Sequence, residues 1–292
     1  MSFDDKIFNW NPWVGCHQCS TGCTFCPVFK GNKYSTGYGD RIKINKNAFR
    51  LPVQKQRDKT KKLEKYELKY KIPSGSIINV CESSDFFIAE ADVWRTEAWE
   101  FIHERQDCLF RICTKRPERI NQCLPDNWLD GYLNVCISTS VEDEYNAWLR
   151  IPELIESIAK HKELILEPLI ENIDISPFLS SGVIDKVIVG GEVYNGWDGI
   201  ARGLEIQWIK DIRKQCIEYD TEFEFISTGT KLIGENGKPV YIKGNDTTNL
   251  ADFYKLNLVD NSISWESMAN DIEKRLLAED ANRIYRMLNN TI

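Results

Sequence analysis

Short, β-branched apolar runs recur at Ser76–Val80, Cys108–Cys113, Leu133–Ser138, Glu163–Leu166, Lys186–Val189 and Glu222–Ile226. Each has the length of a strand buried on both faces. A further strand is expected at Ile7–Trp10. Between the runs, Asp92–Arg105, Glu142–Lys160 and Leu204–Tyr219 place their apolar residues on one helical face. Strand then helix, repeated six or seven times, predicts βαβ units and an α/β fold with a parallel sheet.

Composition narrows the chemistry. The formal charge of −7 argues against a general polyanion binder. No apolar run is long enough to cross a bilayer, so no membrane partner is expected. Met1–Trp10 is acidic and aromatic, unlike the core of a signal peptide. The expected location is therefore cytoplasmic, where thiols stay reduced. The 10 cysteines then call for something other than disulfides.

Four of them, Cys16, Cys19, Cys23 and Cys26, are crowded into one segment. Zinc could use four thiolates, but zinc ribbons separate their Cys pairs by more residues than this segment does. Ferredoxin-type ligation has another order of spacings, although Pro27 follows the last cysteine as it does there. Cys19-x3-Cys23-x2-Cys26, with Phe25 before the last thiol, has the spacing of the radical S-adenosylmethionine (SAM) motif. In that arrangement three thiolates hold a [4Fe–4S] cluster, and its open iron chelates SAM. One electron then cleaves SAM to a 5′-deoxyadenosyl radical that abstracts hydrogen from a substrate. The other cysteines lie on apolar patterns and read as core.

Polar residues gather where the strands end, and parallel α/β folds place their chemistry there. Ser84 and Asp85 follow Ser76–Val80, the second expected strand, and suit SAM contacts or helix capping. Lys115 suits a carboxylate or phosphate. Ser138, Ser140 and Glu142 suit ribose hydroxyls or, again, capping. Glu167 ends an apolar strand, where a carboxylate is costly without a partner, and Arg202 is a candidate partner. Gly190 and Gly191 permit close backbone approach, and Glu192 can accept a hydrogen bond from a cofactor. Asn45–Lys71 reads as a highly charged helix, and Gly229–Thr248 as a loop or hairpin around Asn236–Gly237.

Asn11-Pro12, Gly15-Cys16, Gly22-Cys23, Ser84-Asp85-Phe86, Thr114 to Arg119, Ser140-Val141-Glu142, Glu167-Pro168-Leu169 and Val189 to Glu192 fall in order along the chain. On these pieces the chain resembles the phage Gp37/Gp68-like family (DUF5131), divergent radical SAM proteins. The resemblance implies a radical SAM-type partial (β/α)6 barrel over residues 1–230. Residues 231–292 would form a loop and C-terminal helical extension, with helix at Ser262–Ile292. The family's Cys-x6-Cys-x2-Cys spacing selects Cys16, Cys23 and Cys26 as cluster ligands, with Cys19 the alternative to Cys16. The family ends its last strand on a Lys-Gln-type pair, and here that place reads Ser227-Thr228-Gly229. An electron donor such as flavodoxin or ferredoxin is implied, and a nucleic-acid base or nucleotide is a candidate substrate. The rival reading is a non-enzymatic zinc or nucleic-acid-binding α/β module.

Overall fold

A computed structural model describes residues 6–29, 39–57, 68–194, 201–243 and 246–258. Seven strands form one parallel sheet: β1 (Ile7–Trp10), β2 (Ile77–Val80), β3 (Leu109–Thr114), β4 (Val135–Ser140), β5 (His161–Leu166), β6 (Lys186–Gly190) and β7 (Glu222–Ser227). They lie side by side in chain order. Parallel neighbours sit about 4.8 Å apart, so a flat sheet would hold β2 and β7 about 24 Å apart. Asn79 of β2 and Glu224 of β7 nevertheless line one cavity, so the sheet curls into a half-barrel.

The helices are α1 (Asp92–Glu104), α2 (Glu144–Glu156), the single turn α3 (Ser176–Leu179), α4 (Ile206–Glu218) and α5 (Thr247–Phe253). α4 buries the stripe its spacing foretells, Ile206, Ile209, Ile212 and Cys216, whereas α2 leaves the expected Tyr145 and Leu149 exposed and buries Ala147, Ile151 and Leu154. The alternation is less regular than the sequence suggests. Between β3 and β4 the chain makes only 3-10 turns at Pro117–Arg119 and Asn121–Cys123. Pro117 pre-sets the first of these turns and supplies no N–H to a longer ladder. Trp10 anchors the core between sheet and α1, with ring centroids 6.4 Å from Phe101 and 6.1 Å from Phe110. Burying such a side chain stabilises a fold by roughly 2–3 kcal/mol.

Two peripheral expectations change or sharpen. Asn45–Lys71 is not one helix, because Lys55–Arg57 pairs antiparallel with Leu68–Tyr70. Lys55, Arg57 and Lys69 lie exposed on this ribbon, and Pro52 turns the chain just before it. The hairpin around Asn236–Gly237 is present, Lys231–Ile233 against Pro239–Tyr241, and Leu204–Glu205 adds a third strand. The helix expected at Ser262–Ile292 lies outside the described residues. No helix of the described residues is long and apolar enough to cross a membrane.

Candidate functional site

The segment after β1 carries the cysteine loop across the carboxyl ends of the strands. Its N-terminal side is fixed by the segment after β2. Trp13, fully buried, donates its indole N–H to the Asp85 carbonyl at 3.0 Å. Ser84 Oγ donates to the Gly15 carbonyl at 2.5 Å, and Gly15 N–H to the Ser83 carbonyl at 3.0 Å. Gly15 has φ +89, and a Cβ there would stand 2.3 Å from the Arg41 carbonyl oxygen, so only glycine suits this turn. Cys16, Cys19, Cys23 and Cys26 thereby border a single cavity of about 620 Å³, together with Ser84, Asp85, Lys115, Ser138, Ser140 and Glu167.

Asp85 organises one side of that rim. Its buried carboxylate accepts from Thr114 Oγ1 at 2.8 Å, Lys115 N–H at 3.0 Å, Phe87 N–H at 2.9 Å and Arg116 Nη1 at 2.9 Å. It therefore works as a bracket between β2 and β3 rather than as a helix cap. Arg116 passes the connection on, donating to the His17 carbonyl at 2.8 Å and to Cys16 Sγ at 3.8 Å. Burial and the Asp85 charge push the Cys16 thiol up to about 11, although Arg116 opposes them. Cys23 moves the other way, to about 5, first through the hydrogen bond from the Cys19 thiol and further through Lys115. Burial raises Cys26.

Glu142 organises the other side. Fully buried, it accepts from Arg150 Nη1 at 2.9 Å, Lys115 Nζ at 3.4 Å and Gly22 N–H at 3.2 Å. Burial raises its pKa, but Lys115 and Arg150 outweigh that and hold it below the usual carboxylate range. A Cβ on Gly22 would lie 2.9 Å from the Glu142 carboxyl carbon. Arg150 reaches on to Cys19 Sγ at 3.9 Å. Three cations thus stand beside the loop, and positive neighbours favour thiolates. Among the described residues no group of three or more His, Cys, Asp or Glu side chains is set to hold a single metal ion.

The model of a family described as "Protein of unknown function (DUF5131)" matches residues 4–274. The chain belongs to this family. No curated protein and no solved structure matches it.

In this DUF5131 chain, some expected site residues serve elsewhere. Gly190, Gly191, Glu192 and Arg202 lie outside the cavity lining. Gly190 makes room for Glu167, whose Oε1 would lie 2.7 Å from an added Cβ, and Gly191 makes room for the Thr228 carbonyl at 2.5 Å. Arg202 does not partner Glu167. Its Nε, Nη2 and backbone N–H all bond the buried Glu192 carboxylate. Glu142, too, is sealed behind the rim rather than facing the cavity. Ser138 and Ser140 are not caps, since Asp143 caps α2 by accepting from Asn146 N–H at 2.8 Å. They lie within β4, where Ser140 Oγ accepts from Lys115 Nζ at 2.5 Å.

Sequence reasoning missed the cavity's floor. Asn79, Arg111 and Glu224 come from the bodies of β2, β3 and β7 and face the same space. A signal was present in Phe110-Arg111-Ile112 and Phe223-Glu224-Phe225, where a charge interrupts an otherwise apolar strand. Glu167 faces the cavity half-buried, and desolvation pushes its carboxyl up to about 7, against the opposing pull of Lys115.

Proposed function

We propose that this protein is a radical SAM enzyme, with Cys16, Cys23 and Cys26 holding a [4Fe–4S] cluster at the mouth of the half-barrel. The observation carrying the reading is that the cysteine loop opens onto one cavity at the carboxyl ends of parallel strands, with cations beside its sulfurs. The donor set fits such a group: thiolates are the ligands of iron–sulfur clusters. Cys16, Cys23 and Cys26 are also near enough that charge on Cys23 raises the other two thiols.

What such a cluster supplies when bound is an open iron for the amino and carboxylate groups of SAM and one electron for cleaving its S–C5′ bond. The chain's own groups hold and orient. Arg116 steadies Cys16, and Asp85 fixes Arg116. Cys19 donates its thiol proton to Cys23 and so favours the Cys23 thiolate. Lys115, held by Ser140 at 2.5 Å and Glu142 at 3.4 Å, lies where it can meet a carboxylate of SAM. The electron comes from an external donor such as flavodoxin or ferredoxin, or from dithionite in the test.

The test is anaerobic reconstitution with iron and sulfide, followed by SAM and dithionite. Formation of 5′-deoxyadenosine supports the reading. Zinc bound without iron, or no SAM cleavage at full iron loading, contradicts it.

A further inference from the structure

The floor of the cavity is built differently from its mouth. Asn79 and Arg111 are register partners on β2 and β3. Arg111 lies three residues before Thr114, so at about 3.3 Å per residue it is about 10 Å below the cysteine loop's anchor. Across the half-barrel stands Glu224 of β7. Each charged floor group has a counterion behind it. Arg111 Nη2 contacts Glu163 Oε2 at 3.1 Å, with side-chain exposures of 27% and 6%. Lys186 Nζ contacts Glu224 Oε2 at 2.6 Å, with exposures of 18% and 36%. In both pairs the cavity-facing member is the more exposed one, and its less exposed partner holds and neutralises it.

This arrangement decides the kind of ligand. The two pairs sum to zero charge, and nearby Glu82 adds an acid rather than a base. A phosphate gains nothing on such a floor. A neutral group with both donors and acceptors does, since an amide, a guanidinium and a carboxylate together complement a mixed polar edge. Ile165 and Ile188, register partners on β5 and β6, continue with Ile226 of β7 as an apolar wall. A flat face suits that wall better than a flexible chain does.

We propose that the floor is a nucleobase pocket. In it Asn79 and Arg111 on one side and Glu224 on the other read the edge of a neutral heterocycle whose face lies on Ile165, Ile188 and Ile226. The base enters first, and the sugar and any phosphate stay toward the mouth, so a base within a strand must be turned out of its stack. The pocket's role as the substrate site rests on the radical SAM reading. Its occupancy by a base does not.

Saturation-transfer NMR on the full chain, which registers weak binders, tests it with guanosine, cytidine, thymidine and uridine. Adenosine is included with SAM in excess, so that a cofactor site is not counted. N-acetylglycinamide and inorganic phosphate complete the set. The expected result is transfer to at least one nucleoside, stronger at base protons than at ribose protons. Glu224→Gln and the neutral double variant Lys186→Met/Glu224→Gln should each weaken binding about tenfold or more. The double variant leaves no buried charge unopposed, so its loss of binding is not a loss of fold. Transfer to no nucleoside, stronger saturation of ribose, transfer to the amide probe alone, or unchanged binding in both variants overturns the proposal. Nucleoside binding without SAM cleavage supports the pocket while removing the cluster reading. SAM cleavage without nucleoside binding overturns the pocket alone.

Discussion

Glu142 shows how a single side chain can set the loop. Its carboxylate lies between Arg150, Lys115 and the Gly22 N–H with no solvent contact. Removing one member of such a buried set leaves charge uncompensated, at a cost of about 3–5 kcal/mol. Glu142→Gln should therefore lower stability in urea unfolding by about 3 kcal/mol. It should also lower iron uptake on reconstitution. Unchanged uptake would mean that the loop does not depend on this bracket. Glu167 makes a pH-dependent prediction. Its folded pKa of about 7 exceeds the ordinary 4.5, so the folded chain keeps this proton longer than the unfolded chain does. Its favourable contribution is complete below pH 4.5, falls as the pH rises, and is lost once the pH passes about 7. Between pH 4 and pH 8, Glu167→Gln should gain on the wild type by on the order of 3 kcal/mol. Thermal melts of both proteins across that range measure it, and parallel profiles would show that Glu167 is not the responsible group. At this scale the sequence was informative about residue type and poor about partners. Asp85, Lys115 and Glu167 were recognisable because polar groups after apolar strands need a reason to be there. The pairing of Arg202 with Glu192 was not recognisable, because no spacing or pattern in the sequence ties the two residues together.

At the scale of elements, the strands were readable nearly to the residue, since a strand buried on both faces is an apolar run with sharp ends. The exception is β4. Thr139 and Ser140 lie past the expected run but continue the strand, their hydroxyls satisfied by main-chain carbonyls, as with Thr139 Oγ1 to the Thr114 carbonyl at 3.0 Å. Polarity alone therefore misplaces a strand's end when neighbouring strands supply the acceptors. The glycines at the end of β6 illustrate the same limit. Gly190 and Gly191 suggested cofactor approach, yet what approaches them is Glu167 and the Thr228 main chain. Gly191→Ala should destabilise by about 1–3 kcal/mol, because an added Cβ would stand 2.5 Å from a backbone oxygen that cannot yield as a side-chain end does. Chemical denaturation measures this, and a neutral result would mean that β6 and the 227–229 segment can separate. The cysteine loop carries its own division of labour. Cys16→Ala should abolish cluster loading, whereas Cys19→Ala should retain it but raise the Cys23 thiol, whose low value depends first on the Cys19 hydrogen bond. Iron analysis of the two variants decides, and loading in Cys16→Ala with none in Cys19→Ala would exchange their roles.

For the whole molecule, a half-barrel joins the parts. Strands in chain order curl so that β2 and β7 face one space, which places the cysteine loop at the mouth and the Arg111 and Glu224 pairs on the floor. Alternating strand and helix patterns indicated the parallel sheet. They did not indicate the curl, which arises from packing and twist among strands far apart in sequence. Nor did they indicate the missing helix between β3 and β4. The central claim is that the loop's thiolates hold a [4Fe–4S] cluster open to SAM. Low-temperature electron paramagnetic resonance of the reconstituted, dithionite-reduced protein, with and without SAM, tests it most directly. The expected result is a reduced-cluster signal whose shape changes when SAM is added, and which is absent in Cys23→Ala. A signal indifferent to SAM, or no iron-based signal in a chain carrying zinc, would contradict it.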